Sequence, residues 1–157
     1  MVDRRIEWVL LAYRLPREPS APRVTVWRKL RRLGVAQVLD GLVALPADAR
    51  TREQLEWLAD EVLEAGGEAW VWLGRLGSVA QERTMARRMA DAVAADYRTV
   101  MEEAAAGEGA SETARRRVVA RLRRELQRIG RRDFFPPPER ALARVAVECL
   151  AGTVTVG

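Results

Sequence analysis

Apolar residues fall into runs of two kinds along the chain, and the spacing within each run separates strands from helices. Residues 6 to 15 (IEWVLLAYRL) form an apolar run of strand length, closed by Pro16 and the Pro19/Pro22 segment, and predict the first strand. From about Ser20 to Leu33 the apolar positions are Val26, Trp27, Leu30 and Leu33, a helical spacing with Gly34 as the stop. VAQVL and LVALP, on either side of Asp40-Gly41, predict a hairpin, because both central residues of such a turn take positive φ and Asp-Gly adopts it at little cost. Thr51 and Gln54 have the spacing of a capping box, and Leu55, Leu58, Ala59 and Val62 follow on one helical face. This second helix is expected to run to about Ala65, before Gly66-Gly67. Residues 68 to 73 (EAWVWL) then predict a fourth strand, closed by Gly74 and Gly77.

Beyond residue 77 the pattern is helical throughout. Ser78 and Gln81 repeat the capping-box spacing, and Met85, Met89, Val93, Tyr97, Val100 and Ala104 line one face of a helix of about 27 residues. Gly107-Glu108-Gly109 ends it. Ser111 caps the next helix, whose apolar stripe is Val118, Leu122, Leu126 and Ile129. Residues 131 to 137 form a connector, and Pro138 suits the first position of a last helix ending near Leu150, before Gly152.

The expected fold class is therefore α+β. Residues 1–77 carry the βαββαβ order of a ferredoxin-like sheet, residues 78–157 form a three-helix half packed on it, and the two make one integrated unit. The packing expectation comes from the strands. Trp8/Leu10/Ala12 and Val9/Leu11/Tyr13 are both apolar sets, as are Ala69/Val71/Leu73 and Trp70/Trp72, so both sheet faces are expected to be covered. The first two helices cover one face, leaving the other to the helical half or to a second chain.

Composition narrows the chemistry. The 157 residues contain no His and a single Cys, Cys149, which leaves no intrachain disulfide, Ser-His-Asp triad, Cys-His pair or zinc site built on His and Cys. Neither a Walker-type nor a dinucleotide glycine motif is present. No catalytic, cofactor-binding or metal-binding residues are assigned, and the protein is expected not to be an enzyme. Apolar runs fall short of a membrane span and no cleavable leader pattern is seen, so a cytoplasmic location is expected. Cys149, beside Leu142, Val145 and Ala146 on one face, is expected to be a buried and inert thiol.

Charge gives the positive signal. The net charge is +5, and Lys29 is the only lysine among 27 basic residues. A GC-rich genome produces such an arginine excess, so the location of the charges outweighs their sum. Arg23, Arg28, Lys29, Arg31 and Arg32 form one cluster, with no acidic residue between Glu18 and Asp40. Glu53, Glu56, Asp60, Glu61 and Glu64 on the second helix would neutralise it if the two helices lie side by side. A denser cluster places nine arginines between positions 115 and 132 against Glu125 alone. Within it Arg117, Arg121, Arg124 and Arg128 fall on one helical stripe, which would track a phosphate backbone or pair with Glu102, Glu103 or Glu108. Trp57 lies off the apolar stripe of its helix and is assigned to a partner contact.

The strings EWVLLAYRLPREPSAPRVTVWRKLRRLGV (7 to 35), LDGLVALP (39 to 46), TREQLEWLADEVLEAGGEAWV (51 to 71) and RRDFFPPP (131 to 138) resemble the N-terminal part of the chromate-resistance regulator family ChrB. That resemblance implies a regulator of a chromate efflux operon, and longer members carry a second domain credited with sensing. The βαββαβ opening also resembles the PaaX/Cas2-like domain. The first strand here ends Tyr13-Arg14-Leu15-Pro16, without the acidic metal ligand of the related nucleases, so nuclease activity is not expected. Three partner readings follow: DNA held by the two arginine clusters, a second copy or separate sensing domain held by the sheet and Trp57, and a small oxyanion such as chromate or sulfate clamped by guanidiniums. No membrane partner is expected.

Overall fold

The computed structural model describes residues 5–152. Nine elements follow one another: β1 (Trp8–Arg14), α1 (Ala21–Leu33), β2 (Ala36–Leu39), β3 (Leu42–Pro46), α2 (Ala49–Glu64), β4 (Glu68–Gly74), α3 (Val79–Ala106), α4 (Glu112–Arg131) and α5 (Glu139–Ala151). The architecture is mixed α+β, with a four-stranded antiparallel sheet ordered β2-β3-β1-β4 and five helices.

Contacts divide the chain inside α3 into two compact units, Met1–Arg88 and Met89–Gly157. The first turns of α3 are tied to the strand unit. Glu82 accepts a hydrogen bond from the Ile6 amide and pairs with Arg5, whose guanidinium also donates to the Leu76 carbonyl.

In the first unit, register puts Val9 opposite Leu45 and Leu73, and Leu11 opposite Val43 and Val71. Directly opposed residues share a face, and Val9, Leu11, Val43 and Leu45 are all fully buried. α2 packs against β1 and β4, bringing Leu55, Leu58, Ala59 and Val62 into this core. Gly67 lets β4 start close to the chain it must pair with, since a Cβ there would collide with the Arg14 carbonyl and with Val62.

The opposite sheet face departs from expectation. Leu10 and Ala12 lie opposite Trp72 and Trp70, yet those tryptophans are 54% and 63% exposed. Cover on this face is uneven, since Trp8 and Ala44 on the same face are buried while the rings on β4 are not. Among the described residues β4 has a strand neighbour on one side only, and two large rings opposite Leu10 and the small Ala12 are only partly enclosed.

Several local expectations shift by small amounts with clear causes. The hairpin turn holds positive φ only at Gly41 (74°), not at Asp40, and β2 carries a register break between Gln37 and Leu39. A side chain at Gly41 would press on the Tyr13 carbonyl at 2.6 Å. The capping box of α2 is Asp48 with Thr51, not Thr51 with Gln54. The Thr51 amide donates to Asp48 Oδ1 at 2.7 Å, the Asp48 amide donates to Thr51 Oγ1 at 2.9 Å, and the Thr51 hydroxyl donates to the Pro46 carbonyl at 2.7 Å. At the start of α3, Ser78 Oγ accepts from the Gln81 amide, while Gln81 Oε1 accepts from Gly77 rather than from Ser78.

The second unit is held by Val93, Tyr97, Val100 and Ala104 of α3, Val119, Leu122 and Ile129 of α4, and Ala143, Val147 and Leu150 of α5. The α5 stripe is thus rotated from the expected one. Leu142 and Val145 are exposed, and Cys149 is a free, half-buried thiol rather than a core residue.

Candidate nucleic-acid interface

Helix α1 starts with Pro22 in its first turn, where a missing N–H costs nothing, and stops at Gly34 in the left-handed region, φ 77°. Arg31 and Arg32 occupy its last turn, where the helix dipole favours cations. Val26 and Leu30 bury the inner face. Trp27, expected on the apolar stripe, instead points outward and is 50% exposed, with the Arg31 guanidinium carbon 4.9 Å from its ring centroid. The stacked pair fits a cation held over the negative face of an aromatic ring.

Arg23, Arg28, Arg31 and Arg32 are exposed, and among the described residues none has an acidic partner within ion-pair distance. The expected neutralisation by α2 reduces to one bond, in which Lys29 Nζ donates to Glu61 Oε1 at 2.6 Å. Glu56 pairs with Arg52 on its own helix, and Glu53, Asp60 and Glu64 stay exposed. Arg23 also sits near Tyr13, whose hydroxyl is pushed up from its usual pKa chiefly by burial, with the Arg23 charge opposing and Asp40 adding to the rise.

Helix α4 is arranged differently. Ser111 Oγ accepts from the Ala114 amide as its cap. Of the stripe expected to track phosphates, Arg121 is bound to Glu103 of α3 and Arg128 donates to Glu125 at 2.9 Å, whereas Arg117 and Arg124 are exposed without an ion pair among the described residues. Neighbouring arginines are taken up as well. Arg116 pairs with Glu112, and Arg123 forms a two-pronged bond to Glu148 at 3.0 and 2.8 Å that raises the guanidinium pKa further.

The connector after α4 is an anchored segment. Arg132 donates to Asp96 at 3.0 Å, and Asp133, its side chain wholly buried, accepts from the Tyr97 hydroxyl at 2.7 Å with Arg140 at 3.8 Å. Burial, then the hydrogen bond to Asp133 and its charge, push the Tyr97 pKa up to about 12. Arg98 binds Glu139 on the first turn of α5 at 3.2 Å.

Trp57 is 62% exposed on the outer side of α2, among Glu53, Asp60 and Glu61. Among the described residues no group of three or more His, Cys, Asp or Glu is placed to hold a metal ion, and no helix is long and apolar enough to cross a membrane. Sequence reasoning missed Trp27 as a member of the basic face. The signal was present, because Trp27 stands four residues from both Arg23 and Arg31 and so shares their side of the helix.

Fold and surface together define an α+β protein with a largely unpaired basic helix in its strand unit and a partly ion-paired arginine helix in its helical unit, among the described residues. The chain belongs to the family of the protein ChrB, N-terminal part, which matches residues 23–109, from α1 through α3. Membership associates it with chromate resistance. No curated protein and no solved structure matches the chain.

Proposed function

We propose that this chain is a non-enzymatic regulator of the chromate-resistance type that binds DNA phosphates, and thereby controls transcription of a chromate efflux operon. The observation that carries the reading is the α1 surface, where Arg23, Arg28, Arg31 and Arg32 are exposed on the same helix as the exposed Trp27, with no acidic partner among the described residues. Cations left without carboxylates are available to replace the counterions of a nucleic acid, which is the dominant sequence-independent source of affinity. α1 also lies within the stretch that matches the family, whereas α4 lies outside it. The βαββαβ order and the strand order β2-β3-β1-β4 support reading the first unit as ferredoxin-like.

Fluorescence anisotropy with promoter DNA of its own operon, across a salt series and against unrelated DNA of equal length, tests the reading. Four contacting cations give a plot of log affinity against log salt with a slope of about −4. Promoter-selective binding with that slope supports a regulator, and a flat plot overturns DNA binding. A second reading, a module that binds a separately encoded sensing domain, is favoured by the exposure of Trp57 on an acidic helix. It predicts that a basic protein partner is retained and that Trp57→Ala releases it.

A further inference from the structure

The two edges of the sheet are built differently. β2 has four residues, a register break, and a Gln37 side chain that donates to its own strand at the Leu39 carbonyl. Short, bulged edges resist pairing with another chain. β4 has seven residues, pairs with β1 from Trp8↔Gly74 to Arg14↔Glu68 without a break, and has no charge or proline between Glu68 and Arg75. Its other side has no strand partner among the described residues. An edge this long, regular and apolar is a template for another strand.

The side chains on that edge specify which strand. Ala69-Trp70-Val71-Trp72-Leu73 is nearly its own reverse, so an antiparallel copy centred on Val71 sets Trp70 of each strand against Trp72 of the other, and Ala69 against Leu73. Small meets large at one pair and ring meets ring at the next, the cross-strand combinations that stabilise antiparallel sheets. In the same register Glu68 of one strand stands one position from Arg75 of the other, at both ends, which is charge-complementary. Trp70 and Trp72, exposed in one chain, then pack against each other across the new strand pair.

We infer that two copies of this chain associate through their β4 edges across a two-fold axis at Val71, joining two four-stranded sheets into one. This does not rest on DNA binding. Sedimentation equilibrium of the full chain tests it, comparing wild type with Trp70→Lys/Trp72→Lys and Trp70→Glu/Trp72→Glu. Wild type sediments at twice the chain mass, and each double variant self-associates at least about tenfold more weakly, because like charges then face each other in both cross-strand pairs. An equimolar mixture of the two variants regains a dimer, since every such pair becomes Lys opposite Glu. Hydrogen exchange on the wild type gives a readout independent of any variant: the β4 amides that point away from β1 become slower to exchange as concentration rises. A wild-type monomer at high micromolar concentration, a dimer that survives both variants, a mixture that stays monomeric, or β4 exchange unchanged with concentration each overturns the inference.

Discussion

Helices α1 and α4 are both rich in arginine, and the sequence makes α4 the more basic of the two, yet pairing takes a larger share of α4: among the described residues four of its eight arginines are in ion pairs, against one of the five cations of α1. Among the described residues, Lys29 alone of the five cations at positions 23–32 has an acidic partner, while Arg116, Arg121, Arg123 and Arg128 of α4 are paired with Glu112, Glu103, Glu148 and Glu125. Two of those carboxylates lie on other helices, Glu103 on α3 and Glu148 on α5. Charge density along a sequence therefore does not measure the field at a surface, because the neutralising groups arrive through tertiary packing. Exposed ion pairs are worth only about 0–1 kcal/mol each, so the pairing on α4 stabilises little. Its larger effect is to cancel the charge a phosphate would meet.

Charge reversal separates the two helices most sharply. Arg28→Glu/Arg32→Glu is expected to weaken DNA binding on the order of 100-fold at low salt, since it replaces two counterion-releasing contacts by two repulsions. Both side chains are exposed, so the circular dichroism spectrum should be unchanged. Equal binding by this variant would remove α1 from the interface. Next in size is Tyr97→Phe, which deletes the one hydroxyl that donates to the buried Asp133 and should cost about 1–3 kcal/mol of stability with DNA affinity preserved. The same hydroxyl has a pH signature. Because burial and Asp133 raise its pKa from 10.0 to about 12, its contribution is complete below pH 10 and is lost as pH climbs from 10 to about 12, where the unfolded chain ionises and the folded one does not. Urea denaturation between pH 8 and about 12 should show that decline in wild type and a shallower one in Tyr97→Phe.

The order and type of the elements were legible in the residues because glycine, proline and the change from strand to helical period punctuate the chain so clearly. Gly34, Gly66-Gly67 and Gly152 mark helix ends that the structure places within a residue or two. Facing was harder to read. Trp27 and Val26 are adjacent, and only packing shows that Val26 and Leu30 define the inner face of α1. The same one-residue rotation moved the α5 core from Leu142 and Val145 to Ala143 and Val147. Asp48 and Thr51 each begin a segment with capping-box spacing, and the choice depends on the Pro46 carbonyl that receives the Thr51 hydroxyl. For the site, the basic cluster on α1 was visible in sequence, but its freedom from carboxylates was not, and the Tyr97–Asp133 bond joins residues 36 apart that no local pattern connects.

The smallest effects discriminate most finely between the two helices. Trp27→Ala should weaken DNA binding by only a few-fold, because it removes the platform that holds the Arg31 guanidinium and a cation over an exposed ring is worth about 0.5–1 kcal/mol. With the ring half exposed, the loss in folding stability should be smaller than that of a core tryptophan. Arg121→Ala on α4 is expected to do less still, since its guanidinium is already committed to Glu103 and both side chains are solvated. Its DNA affinity should stay within about twofold of wild type and its stability within about 0.5 kcal/mol. If Arg121→Ala instead weakened DNA binding more than Trp27→Ala, the Glu103 pair would have to open on contact with phosphate, and α4 rather than α1 would be the helix that follows the DNA backbone.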